Sequence, residues 1–351
     1  MYDREREWIA ERVEGLTEEA SEIEPQFDSD IDNSFNTWSA LKLIVHAATI
    51  NMYTKVISDH YNDFFYIDAL AGSGLSEYGE GQEGEYFHGS PIVAAKHADV
   101  SFTKMYFMDE DENRCDILEE RLEYIFTESC IDIESPEDWE VIQGDSNEQI
   151  ERVISNIWDV AGPDFSFHTL SFIDNQATDF EWESLEQIAE VSADFLINYP
   201  GAMAVGMNIN NKGAHEGDLK GFFGRNLWDL GMDSREEYRA TYINQLGSLF
   251  TDDSHQIPVK VESGTKSYNY DMIYATRDTA GGSGYVEAIE YVKEFVENVD
   301  GGDVEDMLKV MQGEQSAIEE FLPEGREIDD ELLDGDVPDT DENQSGLGDW
   351  T

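Results

Sequence analysis

The chain has 351 residues, 40% of them hydrophobic, and its 79 Asp and Glu against 21 Lys and Arg give a formal net charge of −58. Because the acids are spread over the whole chain, the composition is typical of a halophilic protein. Molar salt shortens the electrostatic screening length to about 3 Å, so the negative charge alone does not exclude a nucleic-acid substrate. The chain has no C-x-x-C pair, which argues against a disulfide framework and predicts that Cys115 and Cys130 are buried thiols. Its histidines lack metal-ligand spacing, so no metal site is predicted. It has no long apolar run that could span a membrane, and a cytoplasmic protein is predicted.

The N-terminal region, residues 1–63, is predicted to be helical. Within it, residues 38–61 carry apolar side chains at helical spacing. This pattern predicts a helix that packs one face on the domain that follows.

From residue 64 to about residue 200, strand-like and helical segments alternate. The five strand-like segments are FFYIDALA, KMYFMDED, WEVIQGD, HTLSFIDN and ADFLINYP. Alternation of this kind predicts right-handed crossovers and a parallel sheet covered by helices on both faces.

Two further strand-like segments within residues 256–278 predict an antiparallel hairpin. A mostly parallel sheet ending in such a hairpin is the pattern of an α/β, Rossmann-like class I methyltransferase core, which we place at residues 64–300. Residues 201–250 predict a helical insertion of the kind that recognises substrates. Residues 301–351 predict an acidic C-terminal tail, largely disordered after about residue 322.

The first strand ends at Asp68 and continues into a turn with Gly72, Ser73 and Gly74. Open parallel sheets bind ligands at this edge, and glycines can take positive φ and leave no Cβ between backbone and ligand. A third glycine, as in dinucleotide folds, is missing because Glu77 stands there, and no Walker A lysine follows. A tight strand-to-helix corner is the alternative interpretation.

Acidic residues also end the next two strands. Asp109 is placed to accept hydrogen bonds from ribose hydroxyls, and Asp145 to accept one from an adenine amino group. Three acidic strand ends favour a nucleoside without phosphates, because they would repel phosphates. Each acid alone could instead be a helix N-cap or a loop residue. The predicted cofactor is S-adenosylmethionine, and the predicted cofactor-binding residues are Asp68, Gly72, Ser73, Gly74, Asp109 and Asp145.

Asp174 ends the fourth strand, where methyltransferases commonly place the group that orients or deprotonates the methyl acceptor. We take it as the candidate catalytic residue, with an N-cap or loop acid as the alternative. The chain has neither an Asp-Pro-Pro-Tyr amino-methylation box nor a cysteine after proline. Ser90 and Pro91 predict the N-cap and N1 residues of a helix that closes a glycine-rich loop, residues 72–89, over the cofactor.

Several segments together resemble the three-Cys-motif partner protein family, TcmP, with a match from about residue 36 to 297. They are WSALKL (38–43), YIDALAGSG (66–74), GSP (89–91), the acid at Asp109, FIDNQATDFEWESLEQIA (172–189), DFLINYP (194–200) and YDMIYAT (270–276). The resemblance implies a Rossmann-like, S-adenosylmethionine-dependent protein, here from a haloarchaeon. It also implies that the partner is a radical-S-adenosylmethionine-like protein carrying the three cysteines.

The sequence departs from this family at strand four, where DNQA replaces the usual Asp-Pro-x-Gly-like ending. Three functions therefore stay open. The favoured one is a methyltransferase with an unknown acceptor, nucleic acid being the preferred class. The second is a non-catalytic partner of the three-Cys-motif protein, and the third is a nuclease or other defence effector.

Overall fold

A computed structural model of the chain describes residues 2–27, 33–34, 36–78, 85–127, 136, 138–162, 166–201, 215–226, 232, 234–264, 269–278 and 283–311. The helices are α1 (Tyr2–Thr17), α2 (Ala20–Phe27), α3 (Thr37–Ser58), α4 (Ser90–His97), α5 (Glu112–Thr127), α6 (Ser146–Ala161), α7 (Trp182–Ala189), α8 (Glu216–Phe223), α9 (Arg235–Leu246), α10 (Ser283–Val296) and α11 (Gly301–Met311). The strands are β1 (Asn33–Ser34), β2 (Asp63–Asp68), β3 (Leu75–Tyr78), β4 (Glu85–His88), β5 (Lys104–Asp109), β6 (Asp138–Gln143), β7 (Phe167–Ile173), β8 (Ala193–Tyr199), β9 (Ser254–Glu262) and β10 (Asn269–Arg277).

The main sheet has seven strands in the order β6-β5-β2-β7-β8-β10-β9. The first five of these run parallel, and β10 pairs antiparallel with both β8 and β9. The predicted Rossmann-like sheet with a closing hairpin is therefore confirmed. Asp68 pairs with Phe107 of β5 and Phe172 of β7, so these three parallel strands end at the same edge.

The parallel strands are continuous apolar runs because both faces of the sheet are covered. Along β2, Phe64 and Tyr66 enter a core shared with α1, α3, α4, α5, α10 and α11. Phe65 and Ile67 enter a second core shared with α6 to α9. Alternation along the strand thus assigns successive side chains to opposite layers.

Helix α3 is buried on more than the one face that its spacing predicts. Leu43, Ile44, Val45 and His46 are consecutive and all buried. The reason is that α1, α4, α10 and α11 pack around α3, which itself lies on β2, β7 and β9. The helix is therefore part of the core, and its start is held at one end of the sheet.

Two segments have secondary structure that the sequence analysis did not assign to them. Residues 301–311, assigned above to an acidic tail, form α11, whose Val304 and Leu308 are fully buried. The rest of that tail lies outside the described residues. Much of the predicted loop at residues 72–89 is instead β3 and β4, which pair antiparallel, with β1 parallel to β3.

Cys115 is buried in α5, and its Sγ donates to the Asp109 carbonyl oxygen at 3.4 Å. Burial raises the pKa of this thiol to about 11, so the thiol stays protonated at neutral pH. The predicted buried thiol is confirmed for Cys115, while Cys130 falls outside the described residues. Within the described ranges, no helix is both long and apolar enough to cross a membrane.

Candidate functional site

A cleft of about 960 Å³ opens at the carboxyl edge of the parallel strands. Its floor is the turn after β2, and its walls come from the ends of β5, β6, β7 and β8 and from the start of α3. Ligands of open α/β sheets bind at this edge, beside the strand where the order of connections reverses. The strand order places β2 at that position.

The turn after β2 is fixed by backbone hydrogen bonds to both neighbouring strands. The Ala69 amide donates to the Phe172 carbonyl oxygen at 3.1 Å, and the Ala71 amide donates to the Met108 carbonyl oxygen at 2.8 Å. Gly72 and Gly74 have φ of +65° and +88°, which confirms the predicted positive φ. The two glycines therefore hold backbone conformations that other residue types rarely adopt.

Packing, rather than ligand approach, accounts for two glycines around this turn. A Cβ on Gly74 would lie 2.9 Å from Leu118 Cδ1, and a Cβ on Gly89 would lie 2.8 Å from the Gly74 carbonyl oxygen. That same oxygen accepts a hydrogen bond from the Gly89 amide at 2.6 Å. The Gly-Ser-Pro segment is thus held directly against the turn.

The carboxyl group of Asp68 lies beneath the cleft, fully buried, and does not reach its surface. The Leu70 amide donates to Oδ1 at 3.3 Å, the Tyr66 hydroxyl donates to Oδ2 at 3.4 Å, and Ser90 adds a further hydrogen bond. Burial nevertheless raises the pKa of Asp68 to about 7, because desolvation of the charged form outweighs these bonds. Asp68 supports the turn and Ser90, which do line the cleft.

Ser90 does not cap its helix as predicted. Helix α4 begins at Ser90 itself, the N-cap is Gly89, and no side chain caps it. The predicted N-cap was wrong because the hydroxyl bonds to Asp68 instead. The hydroxyl of Ser73 is also used locally, donating to the Leu75 carbonyl oxygen at 3.2 Å, although Ser73 lines the cleft.

Asp109 lies on the cleft wall and joins two strand ends. Its Oδ2 accepts from the Gly72 amide at 3.0 Å, and its Oδ1 accepts from the Asp111 amide at 2.9 Å. Each carboxylate oxygen has two acceptor sites, so both can still accept from a ligand hydroxyl. The Gly72 amide of the turn thus holds the Asp109 carboxylate in place before a ligand binds.

Asp145 is an exposed cleft residue and the N-cap of α6, which agrees with the alternative stated above. Its Oδ1 accepts from the Asn147 amide at 2.9 Å and from Asn147 Nδ2 at 3.2 Å. Asn147 Nδ2 also donates to the Asp179 carbonyl oxygen at 2.8 Å. Capping engages one carboxylate oxygen, so a ligand can use the other.

Asp174, at the end of β7, is bound from two sides. Lys42 of α3 forms an ion pair with Oδ2, and Asn198 Nδ2 donates to Oδ1 at 3.0 Å. Asn198 Nδ2 also donates to the Asn175 carbonyl oxygen at 2.9 Å, which fixes the orientation of the amide. Asp174 is consequently held rigidly at the cleft, partly shielded by a positive charge.

The structure brings together five of the six predicted cofactor residues and Asp174, and leaves Asp68 behind the wall. Sequence reasoning missed Lys42, Asn198 and Tyr270, which also line the cleft. The Tyr270 hydroxyl donates to the Trp38 carbonyl oxygen at 2.7 Å and so holds the start of α3 beside β10. The WSALKL segment was the available signal for this wall.

The cleft is acidic. Its described lining has five carboxylate side chains, Asp109, Glu110, Asp145, Asp174 and Asp179, against the cations Lys42 and Arg114. Among the described residues, no group of three or more His, Cys, Asp or Glu side chains is arranged to hold a metal ion.

No protein-family model matches the chain, and no curated protein matches it in sequence. Solved structures with a similar fold include protein LPL1258 of Legionella pneumophila, at 9% identity and TM-score 0.42, over 73% of this chain and 93% of that one. Trm1 of Pyrococcus horikoshii, solved with S-adenosyl-L-methionine, matches at 13% identity and TM-score 0.38, over 72% of this chain and 58% of that one. The plantazolicin methyltransferase BpumL, in complex with SAH, matches at 10% identity and TM-score 0.34, over 77% of this chain and all (100%) of that one. These similarities are low, and the fold assignment is made from the strand order and the closing hairpin.

Proposed function

We propose that this protein is an S-adenosylmethionine-dependent methyltransferase whose cofactor occupies the cleft at the carboxyl edge of the sheet. The observation that carries the proposal is the row of cleft groups along successive strand ends. Asp145 follows β6, Asp109 ends β5, the glycine turn follows β2, and Asp174 follows β7. Three strand spacings of about 4.8 Å make this row ~14 Å long.

The chemistry of the row fits an adenosyl ligand without phosphates. Asp145 and Asp109 can accept hydrogen bonds from the adenine amino group and the ribose hydroxyls, and phosphates would be repelled by the acidic walls. Gly72 and Gly74 line the floor of the cleft beside these two acids. The cofactor supplies a methyl group on a positively charged sulfur, which an acidic cleft favours electrostatically.

In this proposal Asp174 acts on the methyl acceptor. Its carboxylate, held by Lys42 and Asn198, can accept a hydrogen bond from the acceptor group and take up its proton. Nucleic acid is the proposed acceptor class, because molar salt would screen the repulsion between the acidic protein and the phosphates.

Isothermal titration in multimolar KCl tests cofactor binding. We expect the protein to bind S-adenosylmethionine and S-adenosylhomocysteine and not ATP, which has the same adenosine but adds phosphates. Asp145→Ser keeps a good N-cap but shortens the side chain, and should weaken S-adenosylhomocysteine binding by about fivefold to tenfold. Asp159→Ser, an exposed residue of the same helix outside the cleft, is the matched control. No binding by folded wild-type protein would refute the proposal.

A second candidate is a non-catalytic partner of a three-Cys-motif radical-S-adenosylmethionine-like protein. The observation that favours it is that the Asp174 carboxylate has a structural role, because its ion pair with Lys42 and its hydrogen bond from Asn198 join α3, β7 and β8. Transfer of labelled methyl groups to RNA or DNA by the isolated protein, lost in the isosteric variant Asp174→Asn, would decide for catalysis. Cofactor binding without any transfer would favour the partner role.

A further inference from the structure

The WSALKL segment has no role in cofactor binding in the proposed function, where its Lys42 only holds Asp174. It forms the first two turns of α3, and Trp38, Ser39, Lys42 and Leu43 line the cleft. Helix α3 therefore supplies a wall of the site as well as covering the sheet.

Lys42 is the cleft cation nearest the β7 end of the row. Its side chain is 16% exposed, and it is paired with Asp174, which is 14% exposed. In the described part of the chain Asp174 is the one hydrogen-bond partner of Lys42 Nζ, so two of its three N–H donors remain for a ligand. Arg114, the other cation, lies on α5, which follows the β5 end.

The proposed ligand has one negatively charged group, the carboxylate of its amino-acid end. With adenine at Asp145 and ribose at Asp109, that end must lie beyond the glycine turn, toward Asp174 and α3. At that place Asp174 would repel the carboxylate of the ligand. The Lys42 ammonium group, which has N–H donors left for a ligand, would bind it. The α-amino group and the sulfonium of the ligand can in turn face the acidic walls.

Resting on the proposed function, we infer that Lys42 binds the α-carboxylate of S-adenosylmethionine, making the start of α3 part of the cofactor site. Lys42 is then shared between Asp174 and the ligand. The ion pair keeps the lysine ammonium in place before the ligand arrives.

Two ligands separate this role from a purely structural one. S-adenosylhomocysteine carries the carboxylate, and 5′-methylthioadenosine lacks the whole amino-acid end. We expect Lys42→Met to weaken S-adenosylhomocysteine binding by about tenfold or more in isothermal titration while leaving 5′-methylthioadenosine binding unchanged. Lys42→Arg, which retains the charge, should recover most of the loss.

Removing Lys42 alone leaves Asp174 unpaired and could impair folding, so Lys42→Gln combined with Asp174→Asn provides a neutral pair as a second variant. On wild-type protein, the decarboxylated analogue of S-adenosylhomocysteine should also bind about tenfold more weakly than the parent ligand. Equal effects on both ligands in Lys42→Met, or equal wild-type affinity for parent and decarboxylated ligand, would overturn the inference. Failure of wild-type protein to bind either adenosyl ligand would instead overturn the proposed function.

Discussion

Asp68 should make the stability of this protein fall as the pH rises from about 4 to about 7. Its pKa is raised from 3.8 to about 7 because its carboxyl group is fully buried. At a pH between these two pKa values, the folded protein therefore keeps a proton on Asp68 that the unfolded chain has already released. Stability from this group is fully present below about pH 4 and is lost as the pH rises to about 7.

The size of the effect follows from the difference of about 3 pKa units. At about 1.4 kcal/mol per unit, Asp68 should lower the free energy of unfolding by about 4 kcal/mol between about pH 4 and pH 8. Asp68→Asn removes the titration and keeps the shape. Its amide oxygen can accept from the Leu70 amide, and its NH₂ group can donate to the hydroxyls of Ser90 and Tyr66.

Urea unfolding at constant KCl, followed by circular dichroism from pH 4 to pH 8, measures this effect. We expect the free energy of unfolding of Asp68→Asn to depend less on pH than that of wild type, by up to about 4 kcal/mol over the range. Asp145→Asn makes the same chemical change at an exposed N-cap, where Asn caps equally well, and serves as the control. A difference below about 1 kcal/mol for Asp68→Asn would show that Asp68 is not desolvated as the structure indicates.

Three further predictions concern the turn, a buried ion pair and salt. Gly74→Ala should destabilise the fold by about 1–3 kcal/mol more than Gly162→Ala in thermal unfolding, because both have positive φ but only position 74 adds a clash, with Leu118. Arg121 is fully buried against Glu24 and also donates to the carbonyl oxygen of the turn residue Ser73 at 2.9 Å, so Arg121→Met should cost about 3–5 kcal/mol in urea unfolding, with the surface variant Arg152→Met near neutral. The net charge of −58 predicts a melting temperature that rises with KCl concentration, and a salt-independent transition would contradict that.

The sequence predicted the sheet well because its signals are local. Each parallel strand is a short apolar run, and amphipathic helices separate successive strands. Strands must be apolar along their length because helices cover both faces of the sheet. The position of the site followed from the same order, since strands joined by crossovers end at one edge. The sequence could not show that residues 301–311 pack into the core. Burial of Val304 and Leu308 depends on contacts with α1 and α3, which are distant in sequence.

By itself the sequence determined which chemical groups end the strands, in chain order the glycine turn, Asp109, Asp145 and Asp174. Their order across the sheet follows from the strand order of the structure. Only the tertiary structure decided which of the acidic residues face the cleft. Asp68 and Asp109 both end apolar strands, yet packing of Tyr66 and Ser90 buries the first, and the turn leaves the second on the wall. Lys42 meets Asp174 across 132 residues of sequence, a contact that folding of α3 over the sheet creates and that no local pattern specifies.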